Sequence, residues 1–241
     1  MRKSLSSNLL SGFTITVLLS MVPASATSIT FSTGGVTCAP AGVCSSVAGA
    51  QTITFDGLGS GTTSPYTNGI ATYSFSDGAP FVKGSVAGEY AAPPSDKTTY
   101  LSVGSPNKSN PVTITFSVPI IYFGLYLGSS DTYNTVEFYQ GGALVGSFTG
   151  AELIPPGNGN QAVGDYLNFN VANGAADKIV MSSFAPALET DNHSFVAAPE
   201  PASIALVGLS LVALGICGFR CRAPGGVLRP ALSPCRSRHS N

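Results

Sequence analysis

Apolar and polar residues alternate with a period of two in short runs along most of the chain, and no long stretch carries a helical period. The clearest run has Tyr133, Thr135, Glu137 and Tyr139 on one side and Asn134, Val136 and Phe138 on the other. Gln140-Gly141-Gly142 then turns the chain into the apolar run that starts at Ala143, a hairpin signature. The same reading predicts strands over residues 28–32, 51–55, 70–75, 99–103, 112–118, 122–127, 132–139, 143–149, 165–171, 178–184 and 194–197. The 120–127 run is too bulky for a half-exposed edge and is expected in the middle of a sheet. One helical turn fits residues 150–155, and the Pro-, Gly- and Asn-rich segments at 93–96, 105–111 and 155–160 read as loops. The expected fold is all-β, an antiparallel β-sandwich of jelly-roll-like order. Phe55, Phe75, Phe116, Phe123, Phe138, Phe148, Phe169 and Phe184 are expected between its sheets.

Both ends break this pattern. Arg2 and Lys3 precede an apolar core from Phe13 to Val22, and Ala24-Ser25-Ala26 follows as an Ala-x-Ala cleavage site, so residues 1–26 read as a secretory signal peptide and the exported chain begins at Thr27. Near the other end, Pro199-Glu200-Pro201 is followed by 18 uncharged residues, 202–219, and then by Arg220 and Arg222. That run is at the lower edge of the roughly 17–25 residues a transmembrane helix needs. The prolines hold the chain extended before it, and the arginines keep the tail on the cytoplasmic side. Residues 27–198 are thus an exported domain, 199–222 a membrane-associated signal, and 223–241, with three prolines and three arginines, a disordered cytoplasmic tail.

The box, short apolar helix, basic flank and export signal together resemble the PEP-CTERM sorting signal of Gram-negative bacteria, also known as the ice-binding protein C-terminal domain. The resemblance implies recognition by exosortase, a membrane protease-transferase that would cut near Pro199-Glu200-Pro201 and release the domain or join it to a surface acceptor. The 223–241 extension departs from such tails, which usually stop within a few residues of the arginines. The domain is itself similar to exosortase-dependent surface proteins of cyanobacteria and proteobacteria in Thr54-Phe55-Asp56-Gly57-Leu58, in the stretch from Tyr122 to Asn134 and in Glu189-Thr190-Asp191-Asn192. That likeness implies an extracellular β-rich protein and brings no catalytic residues with it.

Charge and cysteine usage agree with export. The 27–198 segment holds four lysines and eleven carboxylates, a net charge of −7 that argues against nucleic acid as a partner. Its two cysteines, Cys38 and Cys44, enclose a short flexible loop and are expected to form a disulfide in an oxidising compartment.

Little in the domain announces catalysis. Its one histidine, His193, is expected at the surface, no Gly-x-Ser-x-Gly elbow is present, and Glu189-x-Asp191 is half of a glycosidase signature. Asp56, Asp131 and Asp191 lie at strand ends or turns, where oxygen ligands for Ca²⁺ often gather, although Asp is also an ordinary turn residue. Tyr66, Tyr90, Tyr126, Tyr133 and Tyr139 could form sugar-binding platforms or pack across strands.

The sequence therefore leads us to expect an exported protein, not an enzyme, held transiently in the inner membrane and then placed at the cell surface or released. Its role would be structural, adhesive or glycan-binding, with the secretion machinery, exosortase and surface polysaccharide as partners. The other expectation is a calcium-dependent carbohydrate-binding or carbohydrate-active domain with a discrete ligand site.

Overall fold

The computed structural model describes residues 26–59, 62–76, 80–104 and 109–199, together with 208 and 212. The described chain is all-β and antiparallel, arranged consistently with a β-sandwich. Its strands are β1 (Ser28–Thr33), β2 (Val36–Thr37), β3 (Val43–Cys44), β4 (Gln51–Ile53), β5 (Tyr66–Asn68), β6 (Ala71–Ser74), β7 (Phe81–Lys83) and β8 (Thr99–Val103). They continue with β9 (Val112–Leu127), β10 (Asn134–Gln140), β11 (Ala143–Thr149), β12 (Asp165–Ala172), β13 (Ala176–Ser183) and β14 (Leu188–Ala197), and a single helical turn, α1 (Gly150–Leu153), follows β11.

Strand β9 organises the sheet. The sequence predicts two strands, 112–118 and 122–127, but the structure joins them into one of 16 residues that serves two sets of neighbours. Its first half pairs with β13 on one side and β6 on the other. Its second half pairs with β12 and β14, which places residues 120–127 in the interior of the sheet. Beyond these, β10 and β11 extend from β13, and β1 lies on the outer edge of β12. On its far side β14 meets β8 and then β4. Pro119 does not end β9, because at that position it withdraws only one donor and the chain resumes pairing at Ile120.

The apolar core lies between these two sets. Phe123 of β9 meets Phe138 of β10 edge-on at 6.2 Å, and Phe138 meets Phe169 of β12 at 4.9 Å. Ile114, Ile120, Leu125, Val136, Leu167 and Ile179 are completely buried around them. The hairpin is present as predicted, with Asn134, Val136 and Phe138 facing inward and the turn at Gly141 and Gly142, both at positive φ. Phe184 departs from expectation. It lies just past the end of β13, where alternation no longer governs its direction, and it is 85% exposed.

The last strand differs most from its prediction. The sequence suggests 194–197, whereas β14 starts at Leu188 and its first eight residues are all buried. The polar run Glu189-Thr190-Asp191-Asn192-His193 masks it, because a strand signal is read from apolar and β-branched residues.

The compact unit ends at Ala198. Of the segment that follows, Gly208 and Val212 are helical, and no helix among the described residues is long and apolar enough to cross a membrane. Residues 1–25 of the expected signal peptide, most of the 202–219 run and the 223–241 tail lie outside the described residues, whereas Ala26 lies within them.

Candidate functional site

The polar run of β14 builds two neighbouring features, divided by an irregularity in the strand. On one side the β14–β9 ladder shifts register between Asp191 and Ser194. On the other, β8 stops pairing at Thr190 and β4 begins only at His193. Asp191 and Asn192 therefore sit where the ladder is broken on one edge and displaced on the other. Asn192 takes a positive φ of 50°, which Asn tolerates better than most residues.

His193 belongs to the core. It is completely buried, contrary to the surface position expected from sequence. Its ring packs edge-on to Phe55 and Phe123 and stacks on Tyr73. Nδ1 is 3.0 Å from the Tyr73 hydroxyl, and Nε2 is 2.9 Å from the Thr190 hydroxyl. Burial pushes its pKa down to about 3, so it is neutral. With both ring nitrogens engaged inside an aromatic cluster, it has no access to solvent as a base.

The first feature is a cavity of about 420 Å³ formed by four loops: the one after β7, the one between β9 and β10, the segment after α1, and the connection from β13 to β14. Tyr90, Asp131, Tyr133, Asn158, Gln161 and Glu189 are among its walls, which contain no Lys or Arg among the described residues. Glu189 is only 2% exposed. Its Oε1 accepts from the Ala91 N–H at 2.8 Å and its Oε2 from the Ser129 hydroxyl at 3.3 Å. Burial outweighs these bonds and raises its pKa to about 7. Tyr133 donates to the Pro186 carbonyl at 2.9 Å, and burial with the neighbouring Asp131 carboxylate raises its pKa to about 12. Asp131 is held by a bridge to Asn158 and by its own N–H, which donates to Asn134 Oδ1 at 2.7 Å. A side chain at Gly159, whose φ is +67°, would meet the Asp131 carboxylate, so glycine keeps that wall open.

The second feature lies at the broken ladder. Asp96, in the loop before β8, bridges to Ala41 in the loop closed by the Cys38–Cys44 disulfide, whose Cα atoms are 5.8 Å apart. Asn192 is tied to the same loop, its Nδ2 donating to the Ala41 and Val43 carbonyls at 2.6 and 3.0 Å. Asp96 Oδ1 accepts both the N–H and the hydroxyl of Thr98, at 2.7 and 2.6 Å, and that hydroxyl is 3.4 Å from Asp191 Oδ2. Asp191 is completely buried. Burial first, and then the charge of Asp96, raise its pKa to about 8, while its bond from the Asn192 N–H opposes the rise and the charge of Asp56 adds to it. Asp96 Oδ2, Asp191 Oδ1 and Asn192 Oδ1 are buried with no hydrogen-bond partner among the described residues.

The residues expected to ligate calcium do not converge. Asp131 belongs to the cavity, Asp191 to the buried pair, and Asp56 is exposed on the turn after β4. Among the described residues no three His, Cys, Asp or Glu side chains form a group able to hold a metal ion. The sequence reading missed Asp96 because Pro93-Pro94-Ser95-Asp96 looks like an ordinary turn. The available signal was Asp96-x-Thr98, a spacing that lets a threonine bond back to the carboxylate.

Of the expected tyrosine platforms, Tyr90 and Tyr133 line the cavity, whereas Tyr126 is buried and donates to the Pro94 carbonyl at 2.6 Å. Thr27 lies just before β1, and its hydroxyl bonds Gln140 at 2.6 Å. Pro199 follows β14 by one residue beyond Ala198. Ala24, Glu200, Pro201, Arg220 and Arg222 lie outside the described residues. In comparisons with family models and with curated proteins, the chain matches none.

Proposed function

We propose that this is an exported, exosortase-processed protein of the cell surface or extracellular matrix. Residues 27–198 form a β-sandwich of jelly-roll-like order with a structural, adhesive or glycan-binding role. Residues 1–26 direct export through the secretion machinery, and the 202–219 helix anchors the chain in the inner membrane until processing. The observation that carries this reading is where the fold stops. Strand β14 is a buried interior strand that ends at Ala197, and the compact unit closes at Ala198, immediately before Pro199-Glu200-Pro201. A cut at or after the box would leave in place every strand among the described residues, as a signal meant for removal requires.

Replacing Pro199-Glu200-Pro201 by three alanines tests this reading. The variant should be exported and folded but stay in the membrane fraction, whereas the parent chain is released or surface-joined. Equal release of both would overturn the reading.

A second reading, a carbohydrate-binding domain with a discrete site, is favoured by the loop cavity. Tyr90 and Tyr133 offer ring surface there, while Glu189, Asp131, Asn158 and Gln161 offer acceptors and donors for sugar hydroxyls. With no basic residue in its walls among the described residues, the cavity suits a neutral polysaccharide better than an anionic one. We assign no catalytic role, a view supported by the engagement of both His193 ring nitrogens in the core.

A further inference from the structure

Asp96 and Asp191 are 7% and 0% exposed, yet they share the Thr98 hydroxyl, which lies 2.6 Å from Asp96 Oδ1 and 3.4 Å from Asp191 Oδ2. Each keeps one carboxylate oxygen, Asp96 Oδ2 and Asp191 Oδ1, that no donor among the described residues reaches. Asn192 Oδ1, on the same strand irregularity, is a third buried oxygen in that condition. Nearly all buried polar atoms in folded proteins find a partner, and two carboxylates forced together away from water need a proton or a cation between them. Asp96 and Asn192 both meet Ala41 of the disulfide loop, and Asp191 adjoins Asn192 in sequence and Asp96 through Thr98, so the three orphaned oxygens mark a place suited to positive charge.

We propose that Asp96 and Asp191 bind one Ca²⁺ ion, which fastens the disulfide loop and the segment before β8 to the broken edge of β14. The donor set selects the ion. Every available ligand atom is a hard oxygen, Cys38 and Cys44 are consumed by their disulfide, and His193 spends both nitrogens on Tyr73 and Thr190. Zinc and softer metals thus find no preferred ligand. Ca²⁺ accepts carboxylate, amide and water oxygens in a flexible shell, whereas Mg²⁺ demands a stricter octahedron and gives up water reluctantly. Asn192 Oδ1 and water would complete the shell, and Asp56 adds its charge to the field at Asp191. Two carboxylates are few for a calcium site, which sets the affinity at roughly 10⁻⁴–10⁻³ M, the range of extracellular modules. This site differs from the loop cavity and requires neither a sugar nor processing by exosortase.

The test uses the full chain, purified in detergent and stripped with EDTA, titrated with CaCl₂ while heat of binding and melting temperature are followed. One ion per chain should bind, the melting temperature should rise to a plateau, and MgCl₂ at equal concentration should give a smaller rise. Asp96→Asn and Asp191→Asn keep the side-chain shape and remove a buried charge, so both should fold. Each should weaken Ca²⁺ binding by at least about tenfold, the cost of losing even an outer-shell partner at a metal site. Asp131→Asn, in the cavity, should bind as the parent does. Three results would overturn the proposal: no calcium-dependent heat or melting shift in the parent, undiminished binding in both Asn variants of the pair, or loss of binding in Asp131→Asn. The first result, with a higher melting temperature in the stripped Asn variants, would mean that the pair shares a proton.

Discussion

Single residues in this domain differ sharply in what they hold together, and burial decides which. His193 fills the centre of an aromatic cluster and satisfies two buried hydroxyls. His193→Ala would leave a cavity and orphan the Tyr73 and Thr190 hydroxyls, and should cost about 3–5 kcal/mol in denaturant unfolding, comparable to losing a buried aromatic. Phe184 is the opposite case. Phe184→Ser removes a ring that is 85% exposed and should shift stability by no more than about 0.5 kcal/mol in the same measurement, whereas Phe123→Ala should cost about 3–5 kcal/mol. Both phenylalanines read alike in the sequence. What separates them is whether the strand still runs beneath the ring, which a one-dimensional pattern does not report. His193 was misplaced for a related reason: the sequence marks it as polar, while its burial depends on partners 120 residues before it and 3 residues before it.

At the scale of elements, strands with plain alternation were legible. The β10–β11 hairpin, with its Gly141-Gly142 turn, β8 and α1 follow from local pattern and turn chemistry alone. The short strands β2, β3, β5 and β7 were not, since two or three residues carry no period. The early half of β14 was hidden by its polar residues, and that half positions both candidate features. Glu189 and Asp191, two apart on one strand, are brought to the loop cavity and to the buried pair, respectively, by loops that only the fold assembles. The disulfide loop is one of those assembling parts. Closing so short a loop should contribute about 2 kcal/mol, so Cys38→Ala with Cys44→Ala should lower unfolding stability by about that amount. Gly42, in the same loop, has a φ of +75°, and a Cβ there would overlap the Tyr126 ring. Gly42→Ala should therefore destabilise by more than the roughly 1 kcal/mol typical of a point mutation, read as a fall in denaturation midpoint.

For the whole molecule, the domain ends where the Pro-Glu-Pro box begins, and both sorting and ligand binding are proposals about a unit that closes at Ala198. The all-β class was legible because it depends on the sum of many short alternations, which tolerates errors in each. The joining of 112–118 and 122–127 into one strand was not, because Pro119 punctuates the sequence without ending the pairing. Basic flanks, apolar runs and the Pro-Glu-Pro box suggest the two termini's roles, and the loss of either should be visible in the mature product. The most direct measurement is the intact mass of the protein recovered from the surface or medium of cells with and without exosortase. The account predicts a species that begins at Thr27 and ends near Pro199-Glu200-Pro201, formed only when exosortase is present, with any excess mass belonging to the acceptor. Full-length chain retained in the membrane of both strains, or the same truncated species from both, would contradict it.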